Sequence, residues 1–200
     1  MSFILGLSGG IGSGKSAASQ WFEQQGIHVV DADVVAREVV AVGQPCLTQI
    51  AQHFGDWVLE ASGGLNRRAL REYIFQHPAA RRELEQITHP AIRASIQQQL
   101  QAANSAYAIL VSPLLFETDQ HHLTQRTLLI DAPEQLQLQR ASQRDQQSLE
   151  QIKSIMASQM SRHDKQALAD DVVLNDAGLD DLHRQLEVLH QHYLDLARSS

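Results

Sequence analysis

The chain has a single cysteine, Cys46, among its 200 residues. No internal disulfide can form, and a reducing compartment is the simpler setting. Long apolar runs are also missing: no stretch approaches the roughly 18 residues that a transmembrane helix needs. Met1-Ser2-Phe3-Ile4-Leu5-Gly6 lacks the basic start and extended apolar core of a secretory leader. These absences lead us to expect a soluble cytoplasmic protein with no membrane partner. Positive charge is in short supply, with 16 Lys and Arg against 23 Asp and Glu and a net charge of -7. That argues against non-specific nucleic-acid binding, which needs a broad basic face, whereas a small anionic ligand needs only a local cluster. The ten histidines show no metal-ligand spacing and no H-E-x-x-H. His121, His122, His190 and His192 read as surface residues, Cys46 as structural, and Trp21 and Trp57 as packing residues.

What remains suits one domain, or one core with a smaller insertion. The hydrophobic fraction of 43% is enough for a core without a structural metal. Phe3 to Leu7 is a short apolar run halted by glycines, which predicts a buried strand. A helix over 16–25 follows, with Ala17, Ala18, Trp21 and Phe22 as its apolar positions, stopped by Gly26. Ile27 to Val30 is a second strand, ending at Asp31. Residues 34–104 carry no strand signal and read as mostly helical. Asn66 caps one helix with Leu70, Tyr73, Ile74 and Phe75 on its apolar side. Pro78 opens another bearing Leu84 and Ile87, His89-Pro90 breaks it, and a further helix runs to about Ala103. Tyr107–Val111, Thr127–Ile130 and Val172–Leu174 complete five strands. Polar helices are expected over 133–144, from Ser148 with a Ser148/Gln151 capping box, and over 179–197. The pattern is α/β with a three-layer parallel sheet, and strand order cannot be read from it.

Gly9-Gly10-Ile11-Gly12-Ser13-Gly14-Lys15-Ser16 satisfies G-x-x-x-x-G-K-[ST] after a strand and at a helix start, which is the context that pattern requires. Glycines let several N–H groups turn inward. The helix N-terminus adds a positive partial charge. Lys15 neutralises the β- and γ-phosphates, and the Ser16 hydroxyl can ligate Mg²⁺. Gly10, Ile11, Gly12, Ser13, Gly14, Lys15, Ser16 and Ala17 are therefore the candidate ATP-binding residues. Leu7-Ser8-Gly9-Gly10 also resembles part of a transporter signature, but it overlaps the phosphate loop and has no separate nucleotide loop to serve.

Asp31-Ala32-Asp33 follows the second strand, on the side where parallel sheets bind ligands. Phosphoryl transfer to an alcohol needs a group that orients the hydroxyl and takes its proton, and acidic groups that hold the water shell of Mg²⁺. We assign the first task to Asp33 and the second to Asp31; the alternative is a polar turn with capping aspartates. Arg140 and Arg144, four apart, share a helix face and can clamp phosphate oxygens from a lid over about 140–160. The alternative is a solvated charged face.

At this point the chain resembles the dephospho-coenzyme A kinase family along nearly its whole length. The phosphate loop is generic. The diagnostic blocks are Val30-Asp31-Ala32-Asp33, Asn66-Arg67-Arg68-Ala69-Leu70-Arg71, Ile87-Thr88-His89-Pro90, Pro113-Leu114-Leu115-Phe116-Glu117, Gln139-Arg140-Ala141-Ser142-Gln143-Arg144-Asp145 and Ala169-Asp170-Asp171-Val172-Val173-Leu174-Asn175. The resemblance implies ATP-dependent phosphorylation of the ribose 3′-hydroxyl of dephospho-coenzyme A with Mg²⁺. It implies a P-loop nucleoside-monophosphate-kinase core over 1–33 and 105–200, and a helical acceptor-binding insertion over 34–104. It supports Asp33 as the base and Arg140 and Arg144 as lid arginines. It puts Arg67, His89, Pro113, Leu114 and Glu117 on the acceptor side and Asn175 near the adenine of ATP. Two departures stand out: Ala17 replaces a common threonine, and no acid closes the third strand, which leaves Asp31 as the metal-side carboxylate.

Another small-molecule kinase, acting on a nucleotide or a sugar, is the nearest alternative. A nucleotide-dependent switch would need N-K-x-D after a later strand, where this chain has Leu174-Asn175-Asp176-Ala177. Both substrates of the favoured reaction are polyanions, so Lys15, Arg67, Arg140 and Arg144 are expected to cluster in an otherwise acidic protein.

Overall fold

The computed structural model describes residues 3–118, 120–145 and 148–199. Met1 and Ser2 of the N-terminal reading, and the side chain of Asp145, lie outside the described residues. In chain order the elements are β1 (Ile4–Gly9), α1 (Lys15–Gln24), β2 (His28–Asp31), α2 (Ala32–Glu38), α3 (Pro45–Phe54), α4 (Arg67–Gln76), α5 (Pro78–Gln101), β3 (Ala108–Val111), β4 (Arg126–Asp131), α6 (Glu134–Asp145), α7 (Leu149–Ser158), α8 (Arg162–Leu168), β5 (Asp171–Leu174) and α9 (Leu179–Ser199). The chain divides into two compact units, Met1–Asp31 with Leu100–Ser200, and Ala32–Gln99.

The first unit is built on a five-stranded sheet in the order β2-β3-β1-β4-β5. Every pairing is parallel. β3 is buried along its whole length, and β1 and β4 at all but their first residue. Near-continuous apolar strands are what a parallel sheet covered on both faces demands. β1 lies between β3 and β4, so the chain moves to opposite sides of it before and after β3, and the switch point falls at β1's carboxyl end.

One core joins Leu5, Leu7, Ile109, Val111, Leu128 and Ile130 of the strands to Ala18, Trp21 and Phe22 of α1 and Leu182, Leu186 and Tyr193 of α9. The α9 residues recur at helical spacing, and His190 occupies the same stripe. His190 is thus a correction to the surface reading. It is 7% exposed, its Nδ1 lies 2.8 Å from the Tyr107 hydroxyl, and Trp21 and Phe22 flank its ring. A helical period with a polar residue in an apolar slot marks the core when a buried partner waits for it, and Tyr107 is that partner. Nearby, Tyr193 and Arg126 both donate to Asp171. Burial pushes the Asp171 carboxyl up, but the bonds from Arg126 and Tyr193 outweigh it and hold it below the usual carboxylate range.

The second unit is helical. Pro45 sits in the first turn of α3, and the Asn66 side chain accepts from Ala69 N at 3.1 Å as the cap of α4. Val35, Cys46, Leu47, Ile50, Val58 and Leu70 are buried. The expected break at His89-Pro90 does not occur. α5 runs unbroken through Pro90, because an internal proline removes one backbone donor while the turns on either side keep theirs. The Thr88 hydroxyl donates to Leu84 O at 2.9 Å just before it. Phe75, read as apolar-facing, is 88% exposed. Beyond the sheet's third strand, α7 carries the full Ser148/Gln151 capping box. α8 was not anticipated.

Burial lowers the pKa of His190 below its ordinary value near 6.5. A histidine kept neutral in the fold binds its proton more readily when unfolded. Its contribution is therefore whole above the ordinary histidine range and lost as pH falls. The urea midpoint of the native chain should decline from pH 7 to pH 5 more steeply than that of His190→Gln, which keeps a hydrogen-bonding group beside Tyr107.

Candidate active site

The phosphate loop follows from how β1 ends. After Gly9 the chain turns through residues 10–14, with Ser13 N bonded to Gly10 O at 3.1 Å, and enters α1 at Lys15. Gly12 and Gly14 have φ of 70° and 97°, the left-handed region that glycine reaches without strain. Side chains are excluded there for a second reason. A Cβ on Gly12 would run into the Gln137 backbone, and one on Gly14 into Asn175 Nδ2. Gly14 caps α1 without a side-chain bond and the first turn holds no acid, so the N-terminal amides keep their positive end for an anion. The Ser13 hydroxyl is buried in this loop without a hydrogen-bond partner.

Asn175, just past β5, holds the loop in place. Its Nδ2 donates to Ser13 O at 2.8 Å, its N–H to Asp131 O at 2.7 Å, and its carbonyl accepts from Arg140 Nη1 at 2.9 Å. The ends of β4 and β5, the loop after β1 and helix α6 thus meet at one buried residue. Arg140 is half-buried and Arg144 exposed, one turn further along α6.

A cavity of about 480 Å³ opens beside Gly10, bordered by Asp131, Gln137, Met156, Arg162 and Lys165. Asp131, 4% exposed at the end of β4, accepts from Arg162 Nε and Nη2 at 2.7 and 2.6 Å and from Gln166 at 2.8 Å. That paired carboxylate holds the Arg162 guanidinium above its ordinary pKa. Lys165 lies 3.1 Å from Glu117. Arg162, Lys165 and Gln166 were missed because α8 has no apolar period. Their i, i+3, i+4 spacing was the available signal.

The first unit also carries Asp31, in register with Val111, and Pro113, Leu114 and Glu117 beyond β3. Leu114 is 39% exposed, and the Glu117 carboxylate is engaged by Lys165 and Met160 N. Asp33, Arg67 and His89 belong to the second unit. Asp33 lies in the first turn of α2, Arg67 opens α4, and His89 is within α5; all three are exposed. No helix among the described residues is long and apolar enough to cross a membrane.

Sheet order and phosphate loop define a P-loop kinase fold of the small-molecule type. Shikimate kinase from Bacteroides thetaiotaomicron shares it with a TM-score of 0.53 over 96% of this chain and 99% of that one, at 12% identity, a likeness of fold alone. The family is narrower. The dephospho-CoA kinase family model matches residues 3–181. The dephospho-CoA kinase of Acinetobacter baylyi is 68% identical over 96% of this chain and 99% of its own length. The solved dephospho-CoA kinase from Campylobacter jejuni is 28% identical with a TM-score of 0.74, covering 98% of both chains. The chain belongs to the dephospho-CoA kinase family, and its reaction is the ATP-dependent phosphorylation of dephospho-CoA, the last step of coenzyme A biosynthesis.

Asn175→Ala should leave Ser13 O without its partner, lower stability by about 1–3 kcal/mol and raise the KM for ATP more than it lowers kcat. Urea unfolding and initial rates check both.

Proposed function

We propose that this kinase phosphorylates the ribose 3′-hydroxyl of dephospho-CoA, with Asp33 orienting that hydroxyl and accepting its proton. The observation that carries the reading is the phosphate loop at the central strand's carboxyl end. Asp33 follows β2, whose carboxyl end faces the same edge, by two residues. In this reading the loop amides of residues 10–17 and Lys15 hold the triphosphate, and the buried, unpartnered Ser13 hydroxyl faces a role in that same cradle. Arg140 and Arg144 stabilise the charge that develops on the transferring phosphoryl group. Asn175 shapes the nucleotide side through its bond to Ser13. The helical insertion over 34–104 binds the acceptor through Arg67 and His89, and Pro113, Leu114 and Glu117 complete the acceptor side.

The oxygen-only set of the Ser16 hydroxyl and the Asp31 carboxylate fits a hard cation such as Mg²⁺, which takes its remaining ligands from phosphate and water. No group of three His, Cys, Asp or Glu among the described residues is arranged for a metal. When bound, Mg²⁺ supplies charge neutralisation on the phosphates. We place the reaction in the cytoplasm, where ATP and the acceptor meet.

Asp33→Asn should reduce kcat at least about 100-fold while ATP still binds, as read by calorimetric titration; near-normal turnover would remove the assignment. Across a panel of nucleotides, sugars and dephospho-CoA, the last should give the highest kcat/KM, and mass analysis of its product should locate the new phosphate on the 3′ oxygen.

A further inference from the structure

Lys165 is 3% exposed, yet it is a lysine on a helix of seven residues. A buried ammonium survives only where carboxylate and carbonyl oxygens replace its water. Its Nζ lies 3.1 Å from Glu117 Oε1 and donates to Pro113 O at 3.0 Å. Both partners stand on the segment that leaves β3. Glu117 Oε1 also accepts from Met160 N at 2.9 Å, and its other oxygen is buried without a partner. The segment is otherwise folded on itself: Leu114 N donates to Ser112 Oγ, and both the N–H and the hydroxyl of Thr118 donate to Leu114 O. Leu115 and Phe116 point into the core, which leaves Leu114 outward.

One turn earlier on α8, Arg162 is bonded to Asp131 at the end of β4. β3 and β4 are the two strands that flank β1. α8 is therefore tied to the chain leaving both neighbours of the phosphate-loop strand, and Arg162 and Lys165 share with Gly10 the wall of one cavity. It forms a crossbar beside the cavity that the loop also lines, fixed by ion pairs at its first residue and at its middle.

We propose that Lys165 is a positioning residue that, through Glu117 and the Pro113 carbonyl, sets the outward Leu114 face of the segment after β3 at a fixed distance from the phosphate loop, and so governs acceptor binding. This rests on the acceptor-side reading of that segment given above. Glu117 then acts by holding the segment in place, its Oε1 being committed to Lys165 and Met160.

The test compares Lys165→Met, Glu117→Gln, their double variant and Leu114→Ala in the full-length enzyme, with KM and kcat measured separately for ATP and for dephospho-CoA. Lys165→Met should raise the KM for dephospho-CoA at least tenfold and leave that for ATP within about threefold. The double variant should be no worse than Lys165→Met, because residues acting as one device are not additive. Equal loss for both substrates, or an unchanged acceptor KM in a folded Lys165→Met, overturns the proposal. If that variant does not fold, Glu117→Gln, which keeps the side chain's shape, is read by the same split. Leu114→Ala separates the two claims. If it leaves the acceptor KM unchanged, the acceptor-side reading falls and the proposal with it. If it raises that KM while Lys165→Met does not, only the positioning role is lost.

Discussion

Parallel pairing is the constraint on which everything else depends. Five strands that run the same way deliver their carboxyl ends to one edge of the sheet. At that edge Gly9, Asp31, Val111, Asp131 and Leu174 hand the chain to loops and helices. The three central strands, β3, β1 and β4, are almost wholly buried, so the chemistry has to be carried by the residues just beyond them. A glycine loop at the central strand turns this edge into an anion site. The loop's backbone is held by the Ser13 N–H bond to Gly10 O and by Asn175.

The acidic composition is reconciled with an anionic nucleotide by local pairing. Three of the carboxylates in the first unit are already engaged by cations or amides. Asp131 is held by Arg162 and Gln166, Glu117 by Lys165, and Asp171 by Arg126 and Tyr193. Asp131 is paired on the wall of the cavity that Gly10 also lines, whereas Asp171 opens β5 at the other edge of the sheet. The remaining excess of acid is distributed over exposed helices such as α9, where solvent screens it.

Packing and polar bonding divide the work differently in the two halves of the first unit. α1 and α9 are held to one face of the sheet by Trp21, Phe22, Leu182, Leu186 and Tyr193. α8 is held by ion pairs and side-chain bonds from Arg162, Lys165 and Gln166, with its cap at Ser161. A helix stitched by directional bonds keeps a defined orientation with little apolar area.

Residues adjacent in the chain were enough to determine the phosphate loop, the five strands, the caps at Asn66 and Ser148, and the family. Each depends on local spacing: glycines before Lys15, apolar runs between turn residues, a cap side chain three residues from its N–H. Strand order was decided only in three dimensions, because parallel neighbours are separated by whole crossovers. The same holds for His190 in the core, whose burial depends on Tyr107, 83 positions away. It holds too for α8, which has no apolar period and whose partners Asp131 and Glu117 lie far off in the chain. The uninterrupted path of α5 through Pro90 likewise reflects a balance of many intrahelical bonds against one missing donor. Sequence proximity reveals chemistry that neighbours perform together; partners far apart in the chain become visible only when the fold brings their charges and apolar surfaces into contact.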